Sequence, residues 1–198
     1  MPSFIETAEQ WREHAAKMNT VVLKGRRGRE IKMPCLDTLM VRRELVQANT
    51  YNPNSMPDQK RDDLIESIIL AGFAYGIASW WDDDLEKFVV VDGFHRWLVS
   101  GFDALGLEYV PVTPLQLTPT ERMMATWLFN KARGFHQVDL DAELIRALIE
   151  QGMDEEAIAS HLGIDLDTVH RYKQVTGIAE LFKGAQYSMA WEMMEVEA

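Results

Sequence analysis

The sequence predicts an α+β domain with a small mixed sheet, followed by an all-α domain. Two segments rich in aromatic and β-branched residues, 73–81 and 88–91, are joined by an acidic turn and predict a β-hairpin. From residue 118 onward only helical spacing of the apolar residues recurs, and glycines separate the helical segments. We therefore divide the chain into four parts: an N-terminal extension of a helix and a strand (1–40), the α+β domain (41–118), the helical domain (119–183) and a C-terminal tail (184–198).

Composition excludes several classes of protein. The 198 residues are 47% hydrophobic, which is enough to bury a core without disulfides, and Cys35 is the only cysteine. No segment has the pattern of a signal peptide, and no run approaches the ~20 apolar residues that a membrane span requires. We expect a cytoplasmic protein with no membrane partner. The formal net charge of −11 opposes approach to nucleic acid over the whole surface, so DNA binding would require a local positive patch.

The N-terminal extension contains one helical pattern and one basic turn. Apolar residues at three- and four-residue intervals predict a helix over 5–18 that packs on the main domain. A β-branched stretch, 20–23, then leads into Lys24 to Arg29, where two glycines accompany four cations. These residues form either a solvated hairpin tip or a contact for phosphate, and the sequence leaves both readings open.

Within the α+β domain the order of elements is helix, hairpin, helix and strand. A helix over 60–71 is closed by Gly72, and a second helix over 94–105 follows the hairpin. The stretch 109–117 is rich in β-formers but contains two prolines, which predicts an edge strand or an irregular one. Thr118, a proline and Glu121 then predict a capped helix over 118–132.

Three short helices are predicted over 142–151, 154–161 and 165–175, and the last two have helix-turn-helix spacing around Gly163. The small core of this motif would hold Ile158, Leu162, Ile164 and Val169. Five polar residues of the second helix are candidate DNA contacts: Thr168, His170, Arg171, Lys173 and Gln174. Residues 141–183 hold nine Asp or Glu against four Lys or Arg, a formal charge of −5. A packing or partner-docking module therefore stays open as the alternative.

The stretch from Val91 to Trp97 is the strongest candidate for a binding site. A strand leads into an Asp-Gly turn and a helix begins at once, so free backbone N–H groups and the positive end of the helix dipole point into the turn. His95 and Arg96 can add charge-assisted hydrogen bonds to a phosphate, and Asp92 can cap the helix. The alternative is a purely structural turn in which Arg96 pairs with a carboxylate.

The run from Leu64 to Trp97, with its helix, Gly72, two strands and Asp92-Gly93-Phe94-His95-Arg96, resembles the core of the ParB/sulfiredoxin superfamily. The resemblance implies a nucleoside triphosphate ligand, CTP or ATP, with Mg²⁺ as an accompanying ion. It assigns seven residues to the nucleotide: Gly93, His95 and Arg96 to the phosphates, Gly72 and Phe73 to the base and sugar, and Asn130 and Arg133 to a third motif that closes over the triphosphate. The helix-turn-helix follows in the order expected of ParB-type proteins.

Two departures from the family pattern limit the chemistry that the resemblance implies. Phe129 stands where ParB clamps that hydrolyse CTP place a glutamate, so at most a weak NTPase is expected. Phe94 stands where sulfiredoxins place the attacking cysteine, so the chain is not expected to be a sulfiredoxin.

We therefore expect a nucleotide-binding, DNA-binding transcriptional regulator or coregulator, of phage or genomic-island type rather than a partition protein. Its expected partners are a nucleotide, DNA, a regulatory protein and a second copy of itself. Two alternatives belong to other classes. One is a nucleotide-dependent enzyme of the same fold (an NTPase, phosphotransferase or nuclease) with Asp92, His95 or Glu66 as base. The other is a partner-docking protein that binds no DNA.

Overall fold

The computed structural model describes residues 3–49, 56–132 and 138–182. The chain forms two compact units, Met1–Phe135 and His136–Ala198. Among the described residues the first unit contains the strands and the second contains helices alone, which confirms the predicted fold class. The sequence placed the start of the helical domain at residue 119, whereas the helix that begins there falls within the first unit.

The strands are β1 (Phe4–Ile5), β2 (Val22–Lys24), β3 (Glu30–Lys32), β4 (Leu39–Arg42), β5 (Val46–Gln47), β6 (Ile77–Asp82), β7 (Lys87–Asp92) and β8 (Tyr109–Pro114). The helices of the first unit are α1 (Ala8–Ala15), α2 (Asp58–Ala71), α3 (Phe94–Ser100) and α4 (Pro119–Ala132). Those of the second are α5 (Val138–Glu150), α6 (Glu155–Leu162) and α7 (Leu166–Phe182). Short 3₁₀ turns cover Pro34–Asp37 and Arg43–Leu45.

Six strands form one mixed sheet in the order β1-β4-β8-β6-β7-β5. The predicted hairpin is confirmed, because β6 and β7 pair antiparallel across the acidic turn. β8 pairs antiparallel with β4 and parallel with β6, and β1 and β5 close the two edges in parallel pairs. The remaining strands, β2 and β3, form a separate two-stranded sheet.

The core of the first unit lies on the sheet and includes residues of the N-terminal extension. Val41, Ile77 and Phe88 are fully buried. Trp11 of α1 is 6% exposed, with its ring centroid 4.7 Å from that of Phe88, so the predicted packing of the first helix is confirmed. Its predicted start at residue 5 is wrong, because Ile5 is buried in β1 and the Thr7 side chain accepts a hydrogen bond from the Gln10 amide to cap the helix.

The prediction of an edge position for the strand with two prolines is wrong, since β8 lies inside the sheet. The Leu115 amide donates to Ser79 O, and amides alternate in direction along a strand, so the Pro111 nitrogen faces β6 and the Pro114 nitrogen faces β4. Along β8, the pairing with β4 ends at Val112, and the pairing with β6 begins at the same residue. The Pro111 nitrogen therefore faces β6 before that pairing begins, and the Pro114 nitrogen faces β4 after that pairing has ended. Neither proline removes a hydrogen bond from the sheet, which is the usual cost of a proline in a central strand.

Helix ends follow the local signals of the sequence in most places. The Thr118 and Glu121 side chains form the predicted reciprocal cap of α4, with the Thr118 amide 2.7 Å from a Glu121 carboxylate oxygen. α3 is shorter than predicted, because the Gly101 amide donates to Leu98 O and the chain turns away at that residue. Within the described residues, no helix is both long and apolar enough to cross a lipid bilayer.

Candidate functional site

The turn between β7 and α3 has the geometry that the sequence predicts. Gly93 is the N-cap residue of α3 and adopts a left-handed conformation, with φ 94° and ψ 22°. The N-cap position is Gly93 rather than Asp92, the residue that the sequence proposed as the cap. The φ of Gly93 suits glycine, and a Cβ there would lie 2.8 Å from Arg96 Nη2, so a larger residue would strain the backbone and shift the guanidinium.

Arg96 folds back over the turn and contacts the loop before β6 and the end of β7. Its Nη1 donates to Tyr75 O at 3.1 Å, and its Nη2 lies 3.5 Å from Asp92 Oδ2. The side chains of Arg96 and Asp92 are only 18% and 14% exposed. The distance to Asp92 is long for a charge-assisted hydrogen bond, which is usually 2.7–2.9 Å. Arg96 is therefore held more closely by the Tyr75 carbonyl than by this carboxylate oxygen.

The loop 72–76 forms the second wall of the site. Gly72 ends α2 with φ 78°, and its amide donates to Ile68 O at 2.9 Å. Phe73 is half-buried and packs against the core of the first unit, whereas Tyr75 is 73% exposed beneath the Arg96 guanidinium. The structure thus brings Gly72, Phe73, Gly93 and Arg96 of the predicted nucleotide residues to one region.

Gly76 is a close-packed position in this loop. A Cβ on Gly76 would lie 2.5 Å from Thr113 Oγ1, and that hydroxyl is hydrogen-bonded to Thr38 Oγ1 at 2.8 Å. The glycine therefore lets the loop approach β8 closely, and a larger residue would displace the threonine pair.

Replacing Gly76 with alanine is expected to lower the free energy of unfolding by about 1 kcal/mol, the usual worth of the hydrogen bond that Thr113 would lose. Chemical denaturation followed by tryptophan fluorescence measures the change. Gly25→Ala is the matched control, because its Cβ would meet only ordinary contacts of 3.5 Å or more. Equal stability of the two variants would contradict the close packing at Gly76.

The other predicted nucleotide residues are placed as follows. His95 is half-buried in the first turn of α3, with its ring 5.6 Å from that of Phe94. Phe94 packs against the core where sulfiredoxins place a cysteine, and Cys35 is an exposed free thiol in a separate 3₁₀ turn. Asn130 lies in α4, which contacts β7, but its side chain and the whole of Arg133 fall outside the described residues.

The second unit contains the predicted helix-turn-helix. Asp154 caps α6, and Gly163 in a left-handed conformation (φ 61°) ends it. α7 begins two residues after Ile164 and continues to Phe182, beyond the predicted end at 175. Three of the four predicted core residues are buried, namely Ile158, Leu162 and Val169, while Ile164 is half-buried. Ile145 and Leu148 of α5 are fully buried and complete this core.

The predicted DNA contacts of α7 fall into two groups. His170 Nε2 and Lys173 Nζ both contact the Glu155 carboxylate of α6, at 2.9 and 2.5 Å. The hydrogen bond from Lys173 lowers the pKa of the Glu155 carboxyl, and His170 adds to the effect. Arg171 and Gln174 are exposed, and Arg171 Nη2 donates to Thr168 Oγ1 at 2.8 Å. The engagement of His170 and Lys173 by Glu155 was not predicted, because the partners lie 15 and 18 residues apart.

The chain is similar to known proteins in both of its parts. The family model of the IbrB-like C-terminal HTH domain matches residues 136–184, which confirms the predicted helix-turn-helix. The Escherichia coli (strain K12) protein YbdM, which is described as uncharacterized, is 38% identical over 167 residues, covering 82% of this chain and 78% of YbdM.

Two solved structures of C-terminally truncated ParB from Caulobacter crescentus are also similar. The complex with CTP-γ-S is 20% identical, covers 74% of this chain and 87% of that chain, and has a TM-score of 0.44. The complex with the centromeric parS site is 20% identical, covers 72% and 75%, and has a TM-score of 0.46.

Proposed function

This chain belongs to the same family as Escherichia coli YbdM, and from that premise we propose that it is a DNA-binding regulatory protein. The observation that carries the proposal is the helix-turn-helix of the second unit, where α6, the Gly163 turn and α7 lie inside the region that matches an HTH family model. In such motifs the second helix enters the major groove and its exposed side chains contact base edges.

The face of α7 that supports this proposal is opposite the core. Successive residues of a helix turn by about 100°, so Arg171 and Gln174 point away from the buried Val169. Arg pairs bidentately with guanine and Gln with adenine in the major groove, so these two side chains are suited to direct readout. His170 and Lys173 are partly neutralised by Glu155, which makes them better suited to position the helix than to bind phosphate strongly.

Arg171→Ala is expected to weaken binding to a selected duplex about tenfold, which corresponds to ~1.4 kcal/mol, because one base or phosphate contact is lost. The duplex is obtained by selection from a random pool with the purified full chain, and affinity is measured by fluorescence anisotropy.

Arg146→Ala is the matched control for Arg171→Ala. Arg146 lies in the same unit and pairs with Glu150 at 2.8 Å within α5, so its removal should leave DNA affinity unchanged. A selection that enriches no sequence, together with unchanged affinity of the Arg171 variant, would overturn the assignment of α7 as the recognition helix.

We further propose that the first unit binds a nucleoside triphosphate, CTP or ATP, at the turn between β7 and α3. Three features support it: the start of α3 directly after the glycine N-cap at Gly93, the Arg96 guanidinium over the turn, and the adjoining loop 72–76. Backbone N–H groups at a helix start and a guanidinium are the usual ligands of phosphate. Asn130, Arg133 and Mg²⁺ complete the proposal by resemblance. It does not extend to efficient hydrolysis, because Phe129 offers no carboxylate.

A nucleotide that binds the folded chain raises its melting temperature, and the rise grows with the logarithm of its concentration relative to its dissociation constant. We expect such a rise with CTP or ATP in a melting screen of nucleoside triphosphates and diphosphates, with and without Mg²⁺. We also expect DNA affinity to change when the nucleotide is present, because a regulatory ligand must couple the two equilibria. Phosphate release measured in the same samples separates this regulator from a nucleotide-dependent enzyme.

A further inference from the structure

The most positive segment of the chain is the hairpin formed by β2, β3 and the turn between them, residues 21–32, which we call the basic arm. It contains five Lys or Arg residues and one Glu, a formal charge of +4 in a chain whose net charge is −11. The remaining residues therefore sum to −15. So strong a local reversal of sign sets this hairpin apart from the rest of the surface.

The basic arm has no core of its own. All six strand residues are exposed, and Val22, Leu23 and Ile31 are each about half exposed. The arm is nevertheless closed, because the Gly25 amide donates to Arg29 O and the Gly28 amide donates to Gly25 O, both at 2.9 Å. The hairpin thus holds its tip in a defined shape without contributing to the packing of the first unit.

The cations at the tip have no carboxylate partner among the described residues. Arg12, Arg61 and Arg146 each form ion pairs on the surface. In contrast, the structure shows no ion pair for the four cations of the tip within the part of the chain that it describes: Lys24, Arg26, Arg27 and Arg29. In a chain with 31 acidic residues and 20 Lys or Arg, four adjacent cations without such a pair are available to an external anion.

The base of the arm carries Lys32, whose charge acts on a carboxylate of α4. Hydrogen bonds from Thr118 lower the pKa of the Glu121 carboxyl, and the charge of Lys32 adds to the effect. Lys32 lies at the base of the arm, and the four cations of the tip lie at its far end.

We propose that the basic arm binds the phosphate backbone of duplex DNA, as a contact separate from α7. This inference rests on the proposed DNA-binding function and deepens it. The helical segment 141–183 carries a formal charge of −5, so it gains little from the polyanion by itself. A second, cationic contact on the same chain supplies the sequence-independent part of the affinity, and the two contacts reinforce each other through their high effective concentration.

Duplex DNA fits the arm better than an anionic membrane does. Proteins that bind at a membrane surface bury apolar side chains in the lipid, whereas here the cations occupy the tip. Leu23 and Ile31 form a cross-strand pair on the strands behind it. The tip therefore presents charge and no apolar side chain to whatever it meets first.

The test compares three variants of the full chain by fluorescence anisotropy with a 30-base-pair duplex of arbitrary sequence, over a series of salt concentrations. The first removes the tip charge (Arg26→Ala/Arg27→Ala/Arg29→Ala), and the second keeps it with lysine at the same positions. The third, a control, removes three ion-paired arginines elsewhere (Arg12→Ala/Arg61→Ala/Arg146→Ala). Melting curves establish that each variant is folded, and vesicles of phosphatidylglycerol provide a second anionic surface.

Each neutralised phosphate contributes about 0.9 to the slope of log affinity against log salt. We expect the slope of the alanine variant to be smaller than the wild-type slope by roughly 2.7. Between 50 and 200 mM salt, the wild-type affinity would then fall about 40 times further than the affinity of this variant. The lysine variant and the control should keep the wild-type slope.

If the tip variant and the control have equal slopes while the chain still binds DNA through Arg171, the proposed DNA contact of the basic arm is overturned. The proposed DNA-binding function would then still stand. Arm-dependent binding to the vesicles without an effect on DNA would overturn it in favour of a membrane. A wild-type chain that binds no duplex would overturn the proposed function as well. If the tip variant has a smaller slope and Arg171→Ala binds DNA as tightly as the wild type, the result supports DNA binding by the arm. The same result counts against α7 as the recognition helix.

Discussion

Leu148→Ala is expected to unfold the second unit while the first unit stays folded. Leu148 of α5 is fully buried. Ile145 of the same helix, Ile158 of α6 and Val169 of α7 are fully buried as well. Truncating a buried leucine to alanine costs 2–5 kcal/mol, since apolar contacts are lost and a cavity is left. That amount is comparable to the total stability of a small helical unit. Far-ultraviolet circular dichroism should lose part of its helical signal, and binding to the selected duplex should disappear.

Tryptophan fluorescence provides the readout of the first unit for this variant. Five of the six tryptophans, at positions 11, 80, 81, 97 and 127, belong to the first unit, so their thermal transition should keep its wild-type midpoint. Leu166→Ala is the matched control, because Leu166 is 37% exposed in α7 and its truncation leaves no cavity. A single transition that shifts in both signals would show that the units unfold together.

Arg96→Ala is expected to weaken nucleotide binding roughly 10- to 150-fold, because hydrogen bonds to a charged group contribute about 1.5–3 kcal/mol. Isothermal titration calorimetry with CTP and ATP measures the loss directly. Arg61→Ala is the control for removal of one positive charge, since Arg61 pairs with Asp58 on the exposed part of α2.

A second variant separates phosphate binding by Arg96 from a structural role. The 3.5 Å contact between Arg96 and Asp92 must weaken when a phosphate takes over the guanidinium. Asp92→Asn removes the competing charge, so nucleotide affinity should rise. If Arg96 had only a structural role, nucleotide affinity would stay the same or fall in this variant. Unchanged affinity in both variants would remove the basis for the proposed pocket.

The elements that the sequence predicted well are those whose signals are local. Thr118 and Glu121 form their cap within one turn, and the hairpin of β6 and β7 needs only its own acidic turn. The errors concern partners far apart in the chain. Ile5 joins a strand of two residues whose formation depends on Val41, and the position of β8 depends on strands from two other parts of the sequence. Spacing rules cannot supply such partners.

The same division applies to the candidate site. The left-handed turn at Gly93 and the helix after it follow from an Asp-Gly pair behind a strand, so their existence was predictable. The contact between Arg96 and Tyr75 O was not, because a backbone carbonyl 21 residues away has no signature of its own in the sequence. For the same reason Glu155 could not be foreseen as the partner of Lys173.

The two outermost strands of the six-stranded sheet have a consequence for self-association. β1 and β5 are each two residues long, so each offers little backbone to an incoming strand. Long, flat borders are what allow foreign strands to add on and start fibrils, and natural proteins avoid them by shortening the outer strands. We therefore expect a second copy of this protein to associate through surfaces other than the outer edges of β1 and β5.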